Sequence, residues 1–219
     1  MTRARHVSLL IATIFLLLSP VAAQKPVKEY TIEQFMNTVR IGGSSFSADE
    51  KSILFHTNQT GIFNVYSVPV SGGSPSQLTK STKESTYSVS YLPDGRILYT
   101  YDRGGNENNH IYLRELNGAE TDLTPGDKVK ANFSGWTQDR KSFYFTTNER
   151  DARFFDLYEM PIDTLKATLI YKDETGLEFA DISYDKKFIT FQKNGASPAD
   201  SDVVLYNVAT KEMKNITQH

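Results

Sequence analysis

No cysteine occurs among the 219 residues, so the chain has no disulfide framework, no Cys-ligated zinc and no thiol nucleophile. There is no basic surplus either: 24 Lys and Arg stand against 26 Asp and Glu, a net charge of −2. A protein that neutralises a phosphate backbone needs such a surplus, so nucleic acid is not an expected partner. Proline (8) and glycine (13) are sparse, which excludes collagen-like and low-complexity architectures. The longest uncharged apolar run, Val7 to Leu18, falls short of the ~20 residues that span a bilayer. What the chain does have is aromatics, 12 Tyr and 13 Phe, which pack well on a pleated surface. With 39% hydrophobic and 23% charged residues, it has the composition of a folded, water-soluble body, and the expected class is all-β.

The apolar run follows Arg3 and Arg5 and ends at Ser19-Pro20-Val21-Ala22-Ala23. That order of basic start, apolar centre and small-residue site is the pattern of a secretory signal peptide over residues 1–23, cleaved before Gln24. No Cys follows for lipid attachment, and the two Arg are not adjacent as a twin-Arg signal requires. Export to the periplasm or the outside of a bacterial cell is therefore expected, with no membrane span once the segment is removed. Residues 24–43 form a lead-in with one short helix: Thr31 caps it, Gln34 closes a capping box, and Tyr30 with Phe35 are spaced as a hydrophobic staple.

A repeat fills the rest. Asp49, Asp94, Asp139 and Asp185 each follow a short strand and precede a second one, at spacings of 45, 45 and 46 residues. Polar residues at Asn64, His110, Asp156 and Asp202 open a third strand, each 46 residues after the last. Leu78-Thr79, Leu123-Thr124, Leu169-Ile170 and Ile216-Thr217 mark the end of each unit, the last unit reaching its outer strand at Ile216. Innermost strands are predicted at Ser44 to Phe46, Ser88 to Tyr91, Phe133 to Trp136 and Ala180 to Ser183. Runs such as Ile53-Leu54-Phe55 and Phe143-Tyr144-Phe145 need a neighbour on both faces. A β-propeller meets that need, because each four-stranded blade packs face to face with the next, and its period of ~40–45 residues fits better than the ~33–34 of helical solenoids. Four blades are predicted, at about 44–86, 87–131, 132–177 and 178–219, as a partial propeller in an open arc. The absence of Cys and the proline at Pro26 leave no device to close a ring. Phe46 and Phe55 on one side, and Phe188 and Phe191 on the other, are expected on the uncovered end faces.

The first unit, S-A-D-E-K-S-I-L-F-H-T-N-Q-T-G-I-F-N-V-Y-S-V-P-V-S-G-G-S-P-S-Q-L-T, resembles the Asp-containing repeat of TolB-like periplasmic proteins and of the N-terminal propellers of prolyl oligopeptidase family serine peptidases. The resemblance covers residues 44 to 219, and the lead-in Y-T-I-E-Q-F-M is similar to the opening of the dipeptidyl-peptidase and acylaminoacyl-peptidase branch. It implies a propeller that gates and orients peptides for an α/β-hydrolase domain, a partner that this chain does not contain. No G-x-S-x-G elbow occurs, and the nearest string, Gly42-Gly43-Ser44-Ser45-Phe46, lies in an inner strand. The expectation is a non-catalytic portion of an exported peptidase, truncated before the enzyme begins. The alternative is a TolB-like module that binds protein partners.

No catalytic, cofactor or metal residue is therefore assigned. His56 and His110 occupy ordinary repeat positions, His56 aligning with Thr100, Thr146 and Gln192, whereas a metal site needs three or more converging ligands. The oxygen-rich loop Asp102 to Asn109 lacks the order of a calcium loop and reads as a solvated turn, as does the charged stretch Asn148 to Arg153 with Arg150 and Asp151. These two loops are the first places to look for ligand contacts. Asp173-Glu174 and Glu178 read as a solvated linker, and Trp136 as inter-blade core. The sequons at Asn58, Asn132 and Asn215 read as turns.

Overall fold

A computed structural model describes residues 27–195, 197 and 200–218. The segment expected to be a signal peptide, residues 1–23, lies outside the described residues. The chain divides into two units, Met1–Thr38 and Val39–His219. In the first, helix α1 (Ile32–Met36) carries the expected capping box: Gln34 N–H donates to Thr31 Oγ1 and Thr31 N–H to Gln34 Oε1, both at 3.1 Å. Tyr30 and Phe35 of the expected staple both remain exposed.

The second unit is four antiparallel sheets in simple meander order. The first blade holds β1 (Ile41–Phe46), β2 (Ser52–Thr57), β3 (Asn64–Pro69) and β4 (Ser76–Gln77). The second holds β5 (Tyr87–Tyr91), β6 (Ile97–Tyr101), β7 (His110–Arg114) and β8 (Glu120–Asp122). The third holds β9 (Ala131–Trp136), β10 (Ser142–Thr147), β11 (Asp156–Pro161) and β12 (Thr168–Tyr171), and the fourth β13 (Glu178–Ile182), β14 (Phe188–Asn194), β15 (Ser201–Asn207) and β16 (Met213–Asn215). The sheets follow one another without closing into a ring, as a partial propeller.

The repeated aspartates build the turns into each second strand. Asp49 Oδ1 accepts from Ser47 Oγ and Lys51 N–H, Asp139 Oδ1 from Thr137 Oγ1 and Lys141 N–H, and Asp185 Oδ1 from Ser183 Oγ and Lys187 N–H. The residue after each Asp takes a positive φ: Glu50 56°, Gly95 88°, Arg140 55° and Lys186 58°. Hydrogen bonds donated to its carboxylate, by the Lys187 side chain first and then by Ser183, hold the Asp185 pKa down to about 2.

Strand alternation splits the core into three inter-blade layers. Leu54 and Val65 meet Tyr91, Ile97, Tyr99 and Tyr112 between the first two blades. Leu98, Ile111 and Leu113 meet Phe143, Phe145 and Met160 between the second and third. Tyr144 and Leu157 meet Ile189, Phe191 and Val204 between the third and fourth. All six residues of β10 are buried, which is the two-faced burial expected of a central strand.

Several expectations need correction. Ile216 lies just beyond the outer strand of the fourth blade rather than in it, as Leu78-Thr79 and Leu123-Thr124 lie just beyond theirs at the ends of their units. The threonine hydroxyl replaces a ladder carbonyl: Val65, Ile111 and Val203 N–H donate to Thr79, Thr124 and Thr217 Oγ1 at 2.8, 2.9 and 2.7 Å. Asn132 and Asn215 stand in β9 and β16, not in turns. Phe46 and Phe188 are exposed as expected, but Phe191 is only 2% exposed, because strand parity turns it onto Tyr171 of the third blade at 4.6 Å. Phe55 is likewise buried, stacked on Tyr66 at 5.8 Å.

Candidate functional site

The cleft that best joins shape to chemistry, about 540 Å³, lies where the third and fourth blades meet beside their inner strands. Phe133 of β9, Phe179 of β13, Phe155 and Leu177 give it an apolar lining, while Asn132, Thr146, Arg153 and Glu178 supply polar groups. Its far wall is the connection from β12 to β13, and an ionic network centred on two buried carboxylates fixes that connection. Arg150 turns inward, donating from Nε to Asp156 Oδ2 (2.6 Å) and from Nη2 to Asp156 Oδ1 (2.7 Å) and to the Asp173 carbonyl (2.5 Å). Asp173 N–H donates to Asp156 Oδ1 at 2.8 Å, and the Asp173 carboxylate accepts from Thr175 N–H, Thr175 Oγ1 and Gly176 N–H. Asp156 and Asp173 are each 1% exposed. Asp173 is therefore no solvated linker residue, and Arg150, itself exposed, uses its guanidinium to satisfy the buried Asp156 carboxylate and the Asp173 carbonyl. Glu174 does face solvent, where it pairs with Lys172.

Arg153 remains outside this network. Its Nη2 lies 2.8 Å from Asp151 Oδ2, and its guanidinium sits 5.0 Å from the Phe154 ring centre. That hydrogen bond, before any other cause, holds the Asp151 carboxyl well below the usual carboxylate range. Glu178 accepts from Asn194 Nδ2 at 2.9 Å. The second highlighted loop, Asp102 to Asn109, spends its oxygens locally: Asp102 Oδ2 accepts from Glu107 N–H and Asn106 Oδ1 from Asn108 N–H.

The two histidines are separate structural devices. His110 places Nδ1 2.8 Å from Asp122 Oδ2, and Asp122 Oδ1 accepts from Thr124 N–H. His56 joins the first two blades. Ser88 N–H donates to His56 Nδ1 at 3.2 Å, so this nitrogen is an acceptor, and Ser88 Oγ lies 3.0 Å from it. The ring fits only because β1 has glycine there. A Cβ at Gly42 would come within 2.6 Å of His56 Nε2, and Gly43 holds a φ of +55°. Trp136 ties the next junction, donating from Nε1 to Ser90 Oγ at 3.1 Å.

Burial lowers the His56 pKa below its ordinary value. A depressed histidine pKa means that the unfolded chain binds the extra proton first, so stability is complete above ~6.5 and falls as pH drops below it. Chemical unfolding at pH 7.5 and 5.5 should therefore show a larger acid loss for the wild type than for His56→Gln. Equal losses would remove His56 from the account.

No protein-family model matches the chain. The sequence is 30% identical over 151 residues to dipeptidyl aminopeptidase BIII of Pseudoxanthomonas mexicana, covering 65% of this chain and 22% of that protein. The chain thus spans about a fifth of the length of that relative. TolB of Acinetobacter baumannii superposes with a TM-score of 0.56 at 20% identity, over 81% of this chain and 43% of that one. A prolyl endopeptidase superposes with a TM-score of 0.59 at 16% identity, over 84% of this chain and 30% of that one. The four sheets are TolB-like propeller blades. With the sequence relative, they show a partial β-propeller that is similar in fold to TolB and to part of a prolyl endopeptidase, and similar in sequence to part of a dipeptidyl aminopeptidase.

The cleft carries no motif in the linear sequence and shows there only as a smaller side chain, Thr146, at the repeat position where the first blade has His56. The repeat positions that hold His56, Phe63 and Tyr87 at the first junction hold Thr100, Asn109 and Asn132 at the second and Thr146, Phe155 and Glu178 at the third.

Proposed function

We propose that this chain is the non-catalytic propeller portion of an exported serine peptidase, which admits and orients peptides for an α/β-hydrolase domain. The carrying observation is the 30% identity to a dipeptidyl aminopeptidase, since the likeness to TolB rests on fold. The basic, apolar and small-residue order of residues 1–23 supports export. The absence of an elbow serine supports a role in access rather than chemistry. The second reading, a TolB-like module that docks protein partners in the periplasm, draws on the TolB superposition.

Fluorophosphonate labelling tests the proposal. The 219-residue chain should take no label, because no thiol or elbow serine is present to form an acyl intermediate. The product of the whole reading frame, expressed in parallel, should label at one serine and hydrolyse peptides. A reading frame that adds no hydrolase would turn the conclusion to the docking module, and stoichiometric labelling of the short chain would overturn its non-catalytic part.

A further inference from the structure

The first and third junctions of the propeller fill the same three repeat positions differently, with three rings at one and a single ring at the other. Between the first and second blades, His56, Phe63 and Tyr87 fill the space as a trio of rings. His56 lies 5.4 Å from Phe63 and 5.2 Å from Tyr87, and Phe63 lies 5.4 Å from Tyr87. Register gives the equivalents between the third and fourth blades. His56 pairs with Val65 as Thr146 pairs with Leu157. Tyr87 pairs with Thr100 as Glu178 pairs with Gln192. Phe63 precedes β3 as Phe155 precedes β11. Two of the three rings are thus replaced by Thr146 and Glu178, and all three of these equivalents line the 540 Å³ cleft. Phe155 keeps its place but is only half-buried, as are Phe133 and Phe179 beside it.

The geometry points to a binding site in this cleft for the aromatic side chain of a peptide, whose ring takes the place that His56 and Tyr87 fill at the other junction. The inference rests on the peptide-handling reading above and deepens it. Chemistry and position agree. A ring entering the cleft meets Phe155, Phe133 and Phe179, and aromatic pairs gain from offset or edge-to-face contact beyond the area they bury. The polar rim suits the peptide that carries the ring. Arg153 can donate to a backbone carbonyl and Glu178 can accept from a backbone N–H, so an extended segment keeps its polar groups paired while its side chain is desolvated. The network of Arg150 with the buried Asp156 and Asp173 holds the wall of the cleft in place without a ligand, which limits the ordering cost of binding.

The test uses the purified chain and a blocked tripeptide, acetyl-Gly-(4-fluoro-Phe)-Gly-amide, followed by fluorine NMR, with the alanine tripeptide as competitor. Burying one aromatic side chain predicts that the alanine peptide competes about tenfold or more weakly. The double variant Thr146→His with Glu178→Tyr rebuilds the ring trio of the first junction. It should fold at least as well as the wild type and bind the fluorinated peptide about tenfold or more weakly. Should that variant not fold, Phe155→Ala supplies the same readout by removing the ring that remains. Equal competition by the alanine peptide, or undiminished binding by the filled or truncated variant, overturns the inference. A reading frame without a hydrolase would leave these binding results untouched, so the two conclusions fail separately.

Discussion

Phe143→Ala is expected to lower the unfolding free energy by about 3–5 kcal/mol, the cost of removing a large ring from a site that cannot collapse. Phe143 is 0% exposed in β10 and packs in one layer with Leu98, Ile111, Leu113 and Met160. Its ring centre also lies 5.9 Å from Phe133, 6.0 Å from Trp136 and 6.0 Å from Phe145. The neighbours are held from both sides, by the second-blade strands and by the Trp136 bond to Ser90, so little can move in to fill the hole. For a chain of this size each kcal/mol shifts Tm by about 2–4 °C, so the loss should be plain in thermal as well as urea unfolding. Blades in a repeat array are stabilised by their neighbours, so the weakened layer should also reduce the cooperativity between the second and third blades. Phe46→Ala supplies the comparison. At 58% exposure that ring buries little, and its removal should stay within about 0.5 kcal/mol. Similar costs for the two variants would show that the inter-blade layer is not packed as described.

The contrast between these two phenylalanines also shows what the sequence could tell. The blades were legible because a tandem repeat states its own register: Asp49, Asp94, Asp139 and Asp185 fixed the turns, and Asn64, His110 and Asp156 open their strands as expected. Which face a residue uses was less legible. Phe55 and Phe191 alternate correctly along their strands, yet whether a face is covered depends on which neighbour stands beside it. Phe191 meets the preceding blade and Phe188 does not. Side-chain direction in loops was least legible. Arg150 and Arg153 are three residues apart in one charged stretch, and only tertiary contact sends the first to Asp156 and Asp173 and leaves the second 76% exposed. The candidate cleft lies at the end of that chain of dependence. Thr146 and Glu178 line it where the first junction has His56 and Tyr87, a comparison that needs the blade-to-blade register rather than the linear pattern.

Asn64→Asp should cost about 3–5 kcal/mol at pH 7.5, the penalty of an uncompensated buried charge, although the two side chains have nearly the same shape. Asn64 is 0% exposed. Its Oδ1 accepts from Thr79 Oγ1 at 3.0 Å and from Ser81 N–H at 2.9 Å, contacts that a carboxylate could keep. Its Nδ2 donates to the Ser81 carbonyl at 3.1 Å and to Thr60 Oγ1 at 3.3 Å, and there an aspartate would set an oxygen against a carbonyl oxygen. The equivalent position of the third blade already holds Asp156, which is tolerated because Arg150 meets both of its oxygens. In the first blade the matching partners are hydroxyls and backbone groups, with no guanidinium among those bonds to neutralise the charge. Burial raises the pKa of the introduced carboxyl above its unfolded value of ~3.9, so its deficit is smallest below that value and grows as pH rises through the folded pKa. Urea unfolding of variant and wild type should therefore show a gap that narrows as pH falls from 7.5 toward 5. A gap under about 1 kcal/mol that does not change with pH would mean that water reaches the site and screens the charge.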